Sequence, residues 1–273
     1  MKAVHARLCR SRFAPACLAA LAGAACLGVP SDPLAVECEG DDPAVFYAFP
    51  ERRDEPVEVL GPAEGSLPIE LHVRDSGHVS TLGPGLSVER ETLITSERGA
   101  VIEELVRDID RARALTVEVW VYQVAREYDH TSPARIVAMS EGTSRDEQNF
   151  ILGQEEGSDD WDRISLRVRG ESIKTDPGDF ITNQPLHLAG VIEPGASRLY
   201  VGGDMEAESE SIDAEFAEWE EFPLNLANEY TSGDGSLRAW LGEYYRVALY
   251  PRAMPDQEIR CRAENLPSAY DRR

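Results

Sequence analysis

The chain has 273 residues, of which 42% are apolar, and this is enough to bury a sizeable core, which excludes disorder as its overall state. Its 50 acidic residues against 27 basic ones give a formal net charge of −23. Such a charge repels nucleic acid and anionic membrane surfaces. We therefore expect a globular protein that has no nucleic-acid partner.

The first 24 residues have the pattern of a secretory signal peptide. Four basic residues and no acid lie within the first twelve positions, and an apolar stretch follows from Phe13 to Leu27. Ala22 and Ala24 are small residues at the two positions that signal peptidase reads. We predict cleavage after Ala24 and a secreted or cell-surface protein of bacterial origin.

Cys26 lies just beyond this predicted cleavage point, after a run of small residues. Bacterial lipoproteins carry a similar box that ends in an acylated Cys, but they normally have Leu where this chain has Gly23. Two alternatives stay open. Plain secretion is favoured by Gly23, whereas acylation of Cys26 would be the protein's one attachment to a membrane.

Beyond a linker at residues 25–43, the dominant pattern is an alternation of apolar and polar residues. In the segment 115–122, the apolar side chains of Leu115, Val117, Val119 and Val121 share one face. The same period of two recurs near residues 164–168, 186–188, 199–201 and 241–250, with Gly- and Pro-rich turns between the segments. We predict an all-β antiparallel two-sheet sandwich over residues 44–265, followed by a tail at 266–273.

Helical spacing occurs in three short places. Ile102, Leu105, Val106 and Ile109 predict an amphipathic helix, and Pro255 predicts a helix start that runs towards Asn265. A third set with helical spacing, or else a long polar hairpin, lies within the acidic run 204–221 and comprises Ile212, Phe216 and Trp219. This run holds nine acids and no base, so it is either a solvated loop or a segment that gathers cations or a basic partner.

Several strings in this order resemble the laminin G-like domains of the concanavalin A-like jelly-roll superfamily. Residues 115–121 resemble the family's strand that ends in Trp-Val, and residues 135–142 with 149–154 are similar to an Arg-Ile-Val strand followed by an Asn-Phe-x-Leu-Gly-Gln strand. Residues 199–203 and 247–254, with the helix start after them, resemble the later strands and final helix. The resemblance implies a two-sheet jelly roll over nearly the whole mature chain.

The chain departs from the family at two positions that contribute to calcium coordination in some relatives. Val59 and Tyr244 stand where many members have Asp. Neither side chain supplies the carboxylate oxygens that Ca²⁺ prefers. We therefore predict no cofactor and no metal site of the family type, and any calcium would be bound weakly or by loops outside that site.

Cys38 and Cys261 are the two cysteines that lie well beyond the predicted signal peptide. In an oxidising compartment, a disulfide that staples the two ends of the domain is the preferred interpretation. The resemblance supports it, because the first and last strands of that fold are neighbours. Two alternatives stay open, namely two free thiols and a bond between Cys38 and Cys26.

The polar face of the 115–122 strand carries the best candidate for recognition. Glu118, Trp120 and Tyr122 together could stack on a sugar ring and accept its hydroxyl groups, although burial of Trp120 beneath another segment is the alternative. Laminarinase-type hydrolases of the same fold carry Glu-x-Asp-x-x-Glu on their catalytic strand. Here Glu118 matches the first acid, but Trp120 replaces the second, so we predict no catalytic residue.

Taken together, the residues and the resemblance predict a monomeric, secreted or surface-attached module that binds glycan or protein and is not an enzyme. Two alternatives stay open. One is a glycan-processing hydrolase of the same fold with an atypical site, and the other is a structural surface protein without a discrete ligand.

Overall fold

The computed structural model describes residue 38 and residues 40–49, 57–81, 85–123, 134–142, 144–155, 163–176, 185–229 and 238–265. The chain divides into the units Met1–Leu34 and Ala35–Arg273, and the first lies outside the described residues. The predicted signal peptide, Cys26 and the tail at 266–273 lie outside them too, so these remain predictions. No described helix is both long and apolar enough to cross a membrane.

The alternating segments form strands. In chain order the first eight are β1 (Val45–Ala48), β2 (Val59–Leu60), β3 (Leu71–Val73), β4 (Val79–Ser80), β5 (Leu86–Val88), β6 (Ile94–Ser96), β7 (Leu115–Tyr122) and β8 (Ala134–Ser140). The later ones are β9 (Gln148–Gln154), β10 (Ile164–Val168), β11 (Glu171–Lys174), β12 (Pro185–Glu193), β13 (Ala196–Val201), β14 (Asp204–Ser209), β15 (Leu224–Leu226) and β16 (Gly242–Tyr250).

These strands pair into two antiparallel sheets, which confirms the all-β sandwich. The first sheet runs in the order β14-β13-β12-β7-β16-β5-β4, and β1 also pairs with β16. The second runs in the order β11-β10-β9-β8-β15-β6-β3-β2. The first and last strands of the domain are therefore neighbours, as the resemblance implied.

One large core fills the space between the two sheets. Val117, Val119 and Val121 of β7 pack into it from the first sheet, and Leu152 and Leu166 from the second. Gly190 on β12 lets the sheets approach closely here, because a Cβ atom at that position would lie 2.9 Å from Cδ1 of Leu166. Alternation along β7 thus points Thr116, Glu118, Trp120 and Tyr122 to the outer face of the first sheet.

Two of the three helical patterns form helices. Helix α1 (Ala100–Ala112) buries Ile102, Leu105, Val106 and Ile109, and α2 (Asp256–Glu264) begins directly after Pro255. The third pattern is not a helical face. Its segment continues from the hairpin strand β14 into one short 3₁₀ turn, Phe216–Glu218, although Ile212, Phe216 and Trp219 are all buried.

The disulfide between Cys38 and Cys261 is confirmed. Their Cα atoms lie 5.9 Å apart, and the bond closes a loop with a sequence separation of 223 residues. It links the segment that leads into β1 to helix α2, which follows β16. Because β1 and β16 pair with each other, the segments that flank them lie close enough for the bond.

Candidate functional site

The predicted recognition residues lie on the outer face of β7, where the structure covers most of them. Glu118 is 1% exposed, Trp120 is 3% exposed, and Tyr122 is half-buried. Ile259 of α2 and Met254, which precedes this helix, pack over the neighbouring part of this face and share a second apolar cluster with residues of β12, β13 and β16. A ligand at the predicted site would therefore meet chiefly Tyr122.

Both carboxylate oxygens of Glu118 are engaged inside the protein. His187 Nε2 lies 2.9 Å from Oε1, and the Tyr250 hydroxyl donates to Oε2 at 2.9 Å. Burial alone would raise the pKa of Glu118, but the His187 hydrogen bond and the charges of His187 and Arg262 lower it to about 2. Glu118 is thus held as a carboxylate in a closed polar cluster.

Helix α2 supplies the cationic side of this cluster. Arg262 donates to the Tyr250 hydroxyl at 2.8 Å and to Glu258 at 2.8 Å, while its Nη1 lies 3.9 Å from Glu118 Oε2. Arg252 makes two hydrogen bonds to Glu258, at 2.6 and 2.7 Å. The guanidinium carbons of Arg252 and Arg262 lie 5.3 and 4.8 Å from the centre of the Tyr250 ring. These contacts fix α2 against the sheet.

Trp120 belongs to a small aromatic cluster rather than to an open platform. Its ring lies 5.1 Å from that of His187, and it packs with Tyr245 and Tyr122 outside the main core. The structure thus brings Trp120 and Tyr122 together and ties Glu118 to the same cluster through His187. The ligand-binding role of the three residues stays a prediction, and Glu118 has no oxygen left without a partner.

Tyr244, which stands at one of the lost calcium positions, has a structural role. Its hydroxyl donates to the carbonyl of Ile136 at 2.7 Å and accepts from the amide of Ala227 at 2.9 Å. This side chain therefore links the first sheet to the second. Among the described residues, no group of three or more His, Cys, Asp and Glu side chains is arranged to hold a metal ion. Weak calcium binding, or binding by loops outside the family site, stays a prediction.

A second polar cluster lies where β15 ends and β8 begins. Glu229 is 2% exposed, and its Oε2 lies 3.4 Å from Arg135 Nη2 and 2.8 Å from Arg238 Nη1. Burial lowers the pKa of Arg135 to about 10, although the charge of Glu229 opposes that change. These ion pairs hold the described ends of the two strands together.

An open groove in the described part of the chain lies between α1 and the turn that contains Trp219. It has a volume of about 510 Å³ and an apolar floor of Val106, Phe216 and Trp219. Its rim is charged and consists of Arg98, Glu103, Arg107, Asp110, Glu220 and Glu221. The helical spacing of residues 103, 106, 107 and 110 places them on one side of α1. Arg98 also lines a smaller cavity of about 220 Å³ beside β3 and the start of α1.

The wall of this groove opposite α1 is held rigidly by its own hydrogen bonds. Asn149 donates to the carbonyl of Glu220 at 2.6 Å and accepts from its amide at 3.1 Å. The Trp219 indole donates to the carbonyl of Ala214 at 2.7 Å. The Arg169 guanidinium donates hydrogen bonds to the carboxylates of Glu215 and Glu218, each at 3.0 Å. The backbone of the turn is therefore fixed before any ligand arrives.

The second half of the acidic run 204–221 therefore combines burial with ion pairing. Its apolar side chains enter the core, and Arg145 and Arg169 pair with Glu215. These charges lower the pKa of Glu215, whose hydrogen bond from Arg145 is the largest contribution. The two arginines lie in other parts of the chain, so neither their pairing nor the groove was evident from the sequence of the run.

A family model of laminin G type, described as the concanavalin A-like lectin/glucanases superfamily, matches residues 97–260. This match covers more than half of the chain. The chain belongs to this superfamily. No curated protein sequence matches the chain.

Several solved structures share the fold of this chain at low sequence identity. A sialidase of Trypanosoma rangeli, in complex with 2,3-difluorosialic acid, has a TM-score of 0.61 at 12% identity and covers 83% of this chain and 33% of its own. Domain 4 of AbnA, an extracellular GH43 arabinanase of Geobacillus stearothermophilus in complex with arabinotriose, has a TM-score of 0.54 at 14% identity. The match covers 80% of this chain and 97% of that domain. The receptor binding domain of botulinum neurotoxin type G has a TM-score of 0.52 at 10% identity, and the match covers 82% of this chain and 51% of that domain.

These similarities establish the fold alone. The chain spans about a third of the length of the sialidase that it matches. Similar folds thus occur within glycoside hydrolases and within a receptor binding domain, which leaves binding and catalysis to be decided by the residues of this chain.

Proposed function

We propose that the protein is an extracellular module that binds a glycan and does not hydrolyse it. The observation that carries this proposal is the state of Glu118, the acid at the strand position that resembles the start of the laminarinase-type catalytic pattern. It is buried, both of its oxygens accept hydrogen bonds, and its pKa is lowered to about 2.

Glycoside hydrolysis of the laminarinase type uses one carboxyl group that donates a proton and a second that attacks or activates water. A group with a pKa of about 2 is a poor proton donor at neutral pH, because it is ionised there. A carboxylate beneath α2 cannot reach an anomeric carbon either. Trp120, two residues along the strand, supplies no second acid.

The similar structures support binding rather than a whole hydrolase. The arabinanase domain matches this chain over almost its full length and forms a complex with arabinotriose, so a fold of this size serves as a sugar-binding unit in another protein. The sialidase matches over only a third of its own length. A protein ligand is the second candidate, because the receptor binding domain of a neurotoxin contains a similar fold over about half of its length.

The disulfide supports a location outside the cytoplasm, since such bonds persist in oxidising compartments. Secretion through the predicted signal peptide at 1–24 is part of this proposal. Whether Cys26 is acylated decides between a released protein and one held at the surface, and the proposal favours release because Gly23 departs from the lipoprotein box. We expect the protein to act as a monomer.

A glycan array with the secreted protein tests binding, and incubation of the same preparation with soluble β-glucans and arabinan tests hydrolysis. We expect selective binding to one glycan class and no release of reducing ends. Reducing ends released by the purified protein would overturn the proposal if the Glu118→Gln variant, matched in folding by circular dichroism, lacked that activity. Absence of any glycan signal, with capture of a protein receptor instead, would favour the second candidate.

A further inference from the structure

We propose that the groove between α1 and the turn of residues 216–221 is the sugar-binding site, and that it takes an uncharged oligosaccharide. This inference rests on the proposed glycan-binding function and adds to it the place and the charge of the ligand. The groove has about 510 Å³, which lies within the range of roughly 300–1,000 Å³ that small-ligand sites occupy.

The side chains of the rim suit a ligand rich in hydroxyl groups. Its carboxylates can accept hydrogen bonds from a ligand, and its guanidinium groups can donate them. The carboxylates are those of Glu103, Asp110, Glu220 and Glu221, and the guanidinium groups are those of Arg98 and Arg107. Hydrogen bonds that involve an ionised partner are the stronger ones. A sugar hydroxyl both donates and accepts, so an oligosaccharide can satisfy both kinds of group along one groove.

The groove is also prepared for binding. Asn149 fixes the backbone of Glu220 in both directions, and Arg169 holds the turn through Glu218. Arg98 is held by Glu141 and lies with its guanidinium carbon 5.6 Å from the centre of the Phe222 ring. A rigid site loses less conformational freedom when its ligand binds.

The carboxylates of Glu220 and Glu221 differ from the other acids of this region. Glu215 and Glu218 are paired with Arg169, whereas Glu220 and Glu221 are exposed and have no ion pair among the described residues. Asn149 fixes the backbone of Glu220, and no ion pair of the described residues engages either carboxylate. Such groups are available to a ligand.

The charge of the groove selects against acidic sugars. Four acids face two arginines on the rim, and the whole chain carries a formal charge of −23. A sialylated, sulfated or uronic-acid chain would be repelled both at long range and within the groove. An uncharged oligosaccharide meets no such barrier, so we expect neutral glycans to bind best.

The test begins with a glycan array that contains neutral and acidic chains, followed by calorimetric titration of the best ligand. Glu220→Gln with Glu221→Gln removes two acceptor charges from the rim, and Ala217→Trp fills the groove at an exposed position of the turn. The matched control is Glu208→Gln with Glu210→Gln, two exposed acids outside the groove that give the same change in charge. We expect the first two variants to bind at least about tenfold more weakly, and the control to bind as the unmodified protein does.

Each other outcome has a definite meaning. Selective binding that all groove variants retain would place the site elsewhere and overturn this inference, while the proposed function would stand. Equal weakening in the control would show a general charge effect and overturn it too. An acidic chain as the best ligand would overturn the predicted charge preference. An array without any signal would overturn the inference and the proposed function together.

Discussion

The outer face of β7 and the groove beside α1 contain the same kinds of side chain, but the carboxylates of the two regions differ in burial and in hydrogen bonding. Glu118 is buried, accepts two hydrogen bonds and lies beneath a helix that carries its counter-charge. Glu220 and Glu221 are exposed on a turn whose backbone is already fixed by Asn149. A buried carboxylate with both oxygens engaged stabilises a fold, whereas an exposed one on a rigid wall can serve a ligand. The first region should thus respond to substitution through stability, and the second through binding.

The disulfide is the strongest test of how the first region stays closed, because Cys261 lies within the helix that covers it. Replacement of both Cys38 and Cys261 by Ala should lower the free energy of unfolding by about 5 kcal/mol, since the bond closes a very long loop. Urea unfolding of the secreted protein measures this. Cys26→Ala is the matched control, and a loss below about 1 kcal/mol in the double variant would show that the other contacts of α2 suffice.

Truncation of Glu118 tests the closed polar cluster itself. Glu118→Ala leaves the His187 imidazole, the Tyr250 hydroxyl and the Arg262 charge without their shared acceptor. We expect a loss of about 3–5 kcal/mol in the free energy of unfolding, as for other buried groups that lose a charged partner. If this variant fails to accumulate, Glu118→Gln gives a milder version of the same test. Unchanged stability in both would show that the cluster is dispensable.

The pH dependence separates the charge of Glu118 from its shape. Its pKa of about 2 in the folded state lies below the ordinary value of 4.5, so its contribution to stability is present above pH 4.5 and is lost as the pH falls towards 2. The comparison is between the unmodified protein and Glu118→Gln, whose side chain has no proton to gain. The difference between their free energies of unfolding should narrow over that interval. A constant difference would contradict the lowered pKa.

Much of the first region was evident from the sequence, but its partners were not. Alternation placed Glu118 and Trp120 on one face of β7, and it also placed His187 between the inward residues Leu186 and Leu188 of β12. What the sequence lacked was the pairing of β12 with β7, which sets His187 opposite Trp120. Contacts that depend on strand order over such separations have no local signal.

The groove was harder to foresee, because its two walls come from unrelated parts of the chain. The spacing of Ile102, Leu105, Val106 and Ile109 predicted α1, and so one wall. The other wall depends on Asn149 of β9 and on Arg169 in the turn between β10 and β11, both of which reach the acidic run from the second sheet. The sequence of the run is compatible with a solvated loop or with a segment that gathers cations or a basic partner, whereas the structure buries its side chains Ile212, Phe216 and Trp219.

Asn149 offers a substitution that should affect both stability and binding without touching the groove surface. Asn149→Ala removes the buried side chain that makes two hydrogen bonds to the backbone of Glu220, so the Glu220 amide loses its acceptor and the carbonyl keeps only the amide of Phe222. We expect a loss of about 1–3 kcal/mol in the free energy of unfolding. We also expect weaker binding of the glycan found by array, because Glu220 then loses its fixed position. Full affinity in a folded variant would show that the wall does not need this support.

The smallest expected effect completes the contrast between the two regions. Glu220→Gln with Glu221→Gln should change the free energy of unfolding by no more than about 0.5 kcal/mol, because both side chains are exposed and unpaired among the described residues. Any change should be stabilising, since the variant carries two fewer negative charges in a chain whose formal charge is −23. Urea unfolding beside Glu208→Gln with Glu210→Gln measures it. If the free energy of unfolding fell by about 2 kcal/mol or more in this variant and not in the control, the two carboxylates would stabilise the turn and would not be free to bind a ligand.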